Sequence, residues 1–182
     1  GRMIGERNLY QYARAFGFGS RTGIQLPGEA TGLLRNPLYW SKLSLAMISF
    51  GQEVAVTSLQ LISAYAAVAN GGLLMKPLII KRIISPQGET IEEFKPKVIR
   101  RVISPDTAKR VTQFLYKVVK EGTGIKAQIK GINIAGKTGT AQKSIPGRGY
   151  IPGCYISSFV GFLPIEFPQL VCLVMIDEPK GA

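Results

Sequence analysis

Two apolar runs, residues 155–163 and 169–176, are joined only by Pro164-Ile165-Glu166-Phe167-Pro168. A parallel crossover needs about a dozen residues or more, usually including a helix. The short connection therefore predicts an antiparallel hairpin. A third strand, 131–142, precedes the pair. Upstream, 76–84 and 89–94 read as two strands around a Ser85-Pro86-Gln87-Gly88 turn.

The helices announce themselves through their caps. Residues 8–16 place Leu9, Tyr12, Ala13 and Phe16 at helical spacing, and Gly17 and Gly19 end the pattern. Thr57 is placed to cap a helix running to Asn70. That segment is apolar on almost every face, so it is expected to be buried, with Asn70-Gly71-Gly72 as its stop. Ser104, with Pro105 at the first helical position, opens a helix whose stripe is Ala108, Val111, Leu115, Val118 and Val119. Gly122 and Gly124 stop it. Residues 22–35, rich in Gly and Pro, read as loop. The picture is a mainly antiparallel sheet with helices packed on it, and no linker divides the 182 residues into domains.

Three compositional facts narrow the chemistry. The chain has no histidine, which excludes a Ser-His-Asp or Cys-His centre made within it. Its two cysteines, Cys154 and Cys172, make no metal signature, and both sit in apolar runs that predict buried thiols. The formal net charge is +12, yet the basic residues are scattered and no aromatic residues interleave with them as a nucleic-acid stacking platform requires. A solvated basic surface is the reading. No apolar run reaches membrane-spanning length, and the start lacks the apolar region of a secretion signal.

One lysine satisfies two motifs. Gly131-Ile132-Asn133-Ile134-Ala135-Gly136-Lys137-Thr138 fits the phosphate-loop pattern G-x-x-x-x-G-K-[ST], and the strand ending in Asp177 imitates a magnesium-binding acid. A phosphate loop must open a helix, so that N–H groups and the helix dipole face the phosphates. Here β-branched residues alternate before Lys137, as in a strand. Gly139, Pro146, Gly147 and Gly149 forbid a stable helix after it. The acid-ended strand belongs to a hairpin. The nucleotide reading is rejected.

The second motif is Lys137-Thr138-Gly139 on a strand, the K-T-G of serine β-lactamases and penicillin-binding proteins. It sits in a wider pattern: Lys120-Glu121-Gly122-Thr123-Gly124, then Ala135-Gly136-Lys137-Thr138-Gly139-Thr140-Ala141-Gln142. Thr22-Gly23-Ile24 with Leu26-Pro27-Gly28-Glu29, Ser49-Phe50-Gly51-Gln52 with Val56-Thr57-Ser58-Leu59-Gln60, and Ile176-Asp177-Glu178-Pro179-Lys180-Gly181 extend it. Together these resemble class B penicillin-binding proteins, with the division-associated members most similar, and the likeness spans the whole chain.

The resemblance implies acyl transfer onto a serine, with a peptide lying along the strand edge. Lys137 would offer a fixed positive charge to an anionic substrate terminus and to the proton network around the serine. The hydroxyls of Thr138 and Thr140 would bind a carboxylate, and Gly139 would let substrate approach the backbone. The Thr140 N–H would act as an oxyanion donor. Catalytic roles thus fall to Lys137 and Thr140, and substrate binding to Lys137, Thr138, Gly139 and Thr140. Asp177 and Glu178 would sit at a strand end without a metal. Tyr150 and Tyr155 would line a groove or simply pack, and Gln142, Lys143 and Arg148 would lie at its rim.

The family's nucleophile motif S-x-x-K and its S-x-N motif are absent: no serine here has Lys three positions on or Asn two positions on. The resemblance places both ahead of the region matching Gly1, and a further strand segment after Ala182. Residues 1–182 are thus expected to be the carboxy-terminal portion of a single transpeptidase domain. The implied fold is mixed α/β, a mainly antiparallel sheet with helices on both faces, β-lactamase/transpeptidase-like and incomplete. The expected partners are the peptidoglycan stem peptide, β-lactam antibiotics and the missing amino-terminal part of the domain. No cofactor, metal or nucleic acid is expected, and membrane contact would come only through a segment absent here. The location implied is the extracytoplasmic face of the cell membrane. The alternatives are a D,D-carboxypeptidase or β-lactamase, with water as acyl acceptor, and a penicillin-sensing or peptidoglycan-binding module without turnover.

Overall fold

The computed structural model describes residues 1–145 and 149–180. Its mixed α/β architecture is built from helices α1 (Gly5–Ala15), α2 (Ser44–Ser49), α3 (Ser58–Ala69) and α4 (Pro105–Glu121). The strands are β1 (Leu73–Met75), β2 (Arg82–Ile84), β3 (Thr90–Glu93), β4 (Val98–Arg101), β5 (Ala135–Ile145), β6 (Gly149–Leu163) and β7 (Leu170–Asp177). Every pairing among them is antiparallel: β5-β6-β7 form one sheet, and β1-β4 and β2-β3 form two-stranded ribbons.

The expected hairpin is β6–β7, with Leu163 opposite Leu170. The caps of α3 and α4 behave as their residues predict. Thr57 and Gln60 form a reciprocal capping box, and the Ser104 hydroxyl accepts from the Thr107 N–H with Pro105 in the first turn. Between α3 and α4 the structure corrects the sequence reading. The run 76–84 forms a strand only at Arg82–Ile84, while Leu73–Met75 pairs with Val98–Arg101, more than twenty positions away. The strand expected over 131–142 begins at Ala135, because Ile129 and Ile132 bridge each other in a tight turn first. Helix α2 and a 3-10 turn at Pro37–Tyr39 fall beyond the loop expected over 22–35, where the sequence predicts no element.

The core sits where α3 and α4 meet the β5-β6-β7 sheet. Phe162, Ala135 and Val68 are buried at its centre, with Tyr65, Val111, Leu115, Ile165 and Val171 packed around them. Ala135, Phe162 and Val171 share one face by strand register, so α3 and α4 cover the same side. Of the two helical layers that the resemblance implies, the described residues supply this one. On the opposite face Leu170, Val174 and Ile176 are exposed. Cys172 shares that face and is exposed too, which corrects its expected burial; Cys154 is half-buried, and both thiols are free.

Helix α3 is less enclosed than its composition suggests. Ala64, Ala67, Val68 and Gln60 are buried and the rest of it is partly open. Gln60 is 1% exposed and holds the preceding loop. Its Nε2 donates to the carbonyls of Ser20 (2.7 Å) and Thr31 (2.8 Å), and its Oε1 accepts from the Thr57 N–H at 3.0 Å. A buried amide with its hydrogen bonds made stabilises, whereas an unpaired one costs.

Candidate active-site strand

β5 carries the Lys137-Thr138-Gly139 motif near its start. Ile134, Ala135 and Gly136 are buried and anchor the strand before the motif emerges. Gly136 is required by packing. A Cβ there would come 2.5 Å from the Phe159 ring and 2.9 Å from the Val160 carbonyl oxygen. Phe159 lies over the gap that Gly136 and its cross-strand partner Gly161 leave open.

Beyond that anchor, Lys137 pairs with Val160, Thr138 with Phe159, Gly139 with Ser158 and Thr140 with Ser157. Among the described residues β5 has a partner strand on one side only. Its other edge presents alternate N–H and C=O groups, the template that an extended peptide uses to add itself as a strand. All four expected site residues therefore lie together on one accessible edge. Lys137 and Thr140 are exposed, and Thr138 and Gly139 half-buried. Gly139 has a second reason to lack a side chain: a Cβ would sit 2.7 Å from the Ser158 hydroxyl.

The Lys137 ammonium folds back along the strand. It donates to the Thr138 carbonyl at 2.9 Å and to Thr138 Oγ1 at 3.3 Å. On its other side Thr138 Oγ1 lies 2.8 Å from Thr123 Oγ1, in the turn that follows α4. In the sequence Thr123 belongs to the family-like pattern but carries no evident role. Its place in Lys120-Glu121-Gly122-Thr123-Gly124, a hydroxyl between two glycines, was the signal that it is held in a special position. A cleft of about 690 Å³, lined in part by Tyr116, Lys120, Gln128, Lys130 and Asn133, runs between α4 and the segment leading into β5. The motif itself lines an open strand edge.

The proposed rim residues separate. Lys143 is bound across β6 to the end of β7, at 2.9 Å from Asp177 and 2.8 Å from Glu178. The hydrogen bond to Asp177, followed by that to Glu178, pushes its pKa above the ordinary lysine range. Gln142 donates to the Ile151 carbonyl at 3.1 Å. Both are engaged within the sheet rather than pointed at a ligand. Tyr150 and Tyr155 lie exposed on β6. Arg148, with Pro146, Gly147 and Gly181, lies outside the described residues. No group of three or more His, Cys, Asp or Glu among the described residues is arranged for a metal ion. Lys137 lies inside a strand that continues to Ile145 rather than at the start of a helix, so it lacks the phosphate-loop geometry.

Comparison with known proteins finds relatives along the whole chain. A family model described as the penicillin binding protein transpeptidase domain matches residues 1–182. The stage V sporulation protein D of Bacillus subtilis is 42% identical over 182 residues, which is 100% of this chain and 28% of that protein. The penicillin-binding protein PbpB of Mycolicibacterium smegmatis is 40% identical, over 98% of this chain and 29% of its own length. Among solved structures, penicillin binding protein 3 of Mycobacterium tuberculosis superposes with a TM-score of 0.91 at 39% identity, over 98% of this chain and 42% of that one. The same protein has been solved in complex with aztreonam and with ampicillin. The chain thus spans less than half the length of each of these relatives.

Proposed function

Because the chain belongs to the penicillin-binding protein transpeptidase family, we propose that it is the carboxy-terminal portion of a single D,D-transpeptidase domain that crosslinks peptidoglycan at the extracytoplasmic face of the membrane. The observation that carries the proposal is the free edge of β5, with Lys137, Thr138, Gly139 and Thr140 in consecutive register along it.

In this reading the stem peptide, ending in D-Ala-D-Ala, adds to the outer edge of β5 as a strand. Its terminal carboxylate meets the Thr138 and Thr140 hydroxyls, and the Lys137 ammonium lies beside them. A serine from the S-x-x-K segment, which these residues do not include, attacks the penultimate carbonyl. The Thr140 N–H donates to the oxygen that becomes negative. Loss of one such donor typically costs about 3 kcal/mol of transition-state stabilisation. The C–N bond to the terminal D-Ala breaks and that residue leaves as the protonated amine. An amine on a neighbouring strand then attacks the acyl-serine ester, forming the crosslink and returning the serine hydroxyl. A β-lactam enters the same edge, and its opened ring stays on the serine as an ester.

The test is covalent labelling with a fluorescent penicillin. A protein carrying this chain together with its S-x-x-K segment should label with one equivalent and release D-Ala from a stem peptide in the presence of an acceptor amine. Residues 1–182 alone should form no adduct. Stoichiometric labelling of the isolated chain, or none of the longer protein, overturns the assignment. Release of D-Ala with water as the only acceptor used would favour the carboxypeptidase reading.

A further inference from the structure

We propose that Thr123 is a positioning residue for substrate recognition: its hydroxyl donates to Thr138 Oγ1 and so orients the single Thr138 proton toward a carboxylate bound at the β5 edge. The proposal rests on the acyl-transfer reading of that edge.

Thr123 is held by the glycines on either side of it. At the end of α4 the N–H groups of Gly122 and Gly124 both donate to the Val118 carbonyl, at 3.1 and 2.9 Å. That chelate closes the chain tightly over the last turn of the helix. A Cβ at Gly122 would lie 2.9 Å from the Val118 oxygen, and one at Gly124 3.2 Å from it. A side chain at Gly122 would force the turn open and one at Gly124 would crowd it, so the two glycines let it close, and the residue between them is thereby presented to β5. Its hydroxyl meets Thr138 at 2.8 Å across fifteen positions of sequence. Gln128 reinforces the arrangement by donating to the Val119 and Lys120 carbonyls, both at 2.9 Å. The pattern Gly-Thr-Gly is therefore a device for placing one hydroxyl against one other.

The inventory of Thr138 Oγ1 turns that placement into a direction. A hydroxyl has one proton and two lone pairs. Lys137 Nζ, which can only donate, occupies one lone pair at 3.3 Å. Either hydroxyl could donate in the 2.8 Å contact with Thr123; with a carboxylate at the edge to accept the Thr138 proton, Thr123 donates to the second lone pair, both acceptor sites are filled and the Thr138 proton points away from both neighbours. A carboxylate at the edge is the acceptor that this orientation serves. A hydroxyl that accepts from an ammonium and a second hydroxyl is also polarised into a better donor. Without Thr123 the Thr138 proton is free to turn inward, and reorienting it would weaken carboxylate binding.

A role in holding the loop to the strand predicts different behaviour from a role in orienting a proton, and the ligand separates them. The experiment measures second-order acylation rates of a protein carrying this chain and the S-x-x-K segment, using a penicillin with its free carboxylate and the corresponding methyl ester. Thr123→Val keeps the shape and removes the donor. It should slow acylation by the free acid about three- to tenfold, the range of one net hydrogen bond, and leave the ester rate unchanged. Thr123→Ser, which keeps the donor, should restore the preference for the acid. If the valine variant folds poorly, Thr123→Ala is compared with Thr123→Ser, and only the alanine variant should lose the preference. Equal slowing toward both ligands, or no change toward either, overturns the relay while the acyl-transfer reading stands. A wild-type protein acylated by neither ligand overturns both.

Discussion

Replacing Gly136 by alanine tests whether the motif strand is positioned by close packing against its neighbour. The added methyl would meet the Phe159 ring at 2.5 Å and the Val160 carbonyl oxygen at 2.9 Å. Carbon atoms pack best near 3.5 Å or beyond, so the ring contact demands about 1 Å of movement and the carbonyl contact about half of that. The ring can turn, but the carbonyl belongs to the β5–β6 ladder and cannot yield without separating the strands. Overpacking of this kind costs about 1–3 kcal/mol of stability. Lys137 is the next residue, so the same displacement reaches the site. A misplacement of about 1 Å can lower a rate a hundredfold. In a protein carrying this chain and the S-x-x-K segment, Gly136→Ala should lower the melting temperature and slow acylation by a labelled penicillin by one to two orders of magnitude, on the order of the misplacement cost. Adding Phe159→Leu should recover part of the loss, because it relieves the ring contact and leaves the carbonyl contact. A Gly136→Ala protein with unchanged melting and unchanged acylation would refute the claim that this glycine sets the strand.

Gln60→Leu removes three hydrogen bonds from a residue that is 1% exposed. At about 0.5–1.5 kcal/mol each, the loss in denaturant unfolding should be about 2–4 kcal/mol, well beyond that of an exposed substitution. Burial raises the Glu29 carboxyl, but hydrogen bonds from the Thr22 hydroxyl and from the Thr22 and Gly23 N–H groups outweigh it and leave the pKa below the ordinary value. A lowered carboxylate contributes stability above its unfolded pKa and loses it as pH falls through the folded one. Proteolytic protection of the 20–31 loop should therefore be full at neutral pH, fade on acidification below the ordinary carboxylate range, and be independent of acid in Glu29→Gln. Lys143 has the opposite sign. Its raised pKa makes the tie to Asp177 and Glu178 complete below the ordinary lysine value and lost only as pH rises through the folded one. Lys143→Met should thus loosen amide exchange at the ends of β5 and β7 at neutral pH, by an amount that shrinks in high salt, where exposed ion pairs are screened.

Much of this molecule is written in local sequence. The ends of α3 and α4 follow from Thr57 with Gln60 and from Ser104, Pro105 and Gly122, because a cap is satisfied within a single turn of chain. The β6–β7 hairpin follows from the short Pro164–Pro168 connection, and the strand character of the Lys137 segment from β-branched residues before it and glycines after it. Local rules also mislead where two answers are equally local. The isoleucine-rich stretch over 76–84 reads as one long strand, yet only its end, Arg82–Ile84, pairs with Thr90–Glu93 around the expected Ser85–Gly88 turn, while Leu73–Met75, which the sequence does not mark as a strand, pairs with Val98–Arg101.

The candidate site divides in the same way. That Lys137, Thr138, Gly139 and Thr140 lie consecutively on a strand was determined by the sequence alone, since neighbours in a strand are neighbours in the chain. Three further facts were decided only by tertiary structure: that Thr123 meets Thr138, that Lys143 is committed to Asp177 and Glu178, and that Cys172 faces outward. The first depends on how α4 packs against β5, and the other two on strand order and register, which bring together residues far apart in the chain and choose which face of a period-two strand is covered. A continuously apolar run such as Leu170–Ile176 carries no mark of which of its two faces a helix will cover.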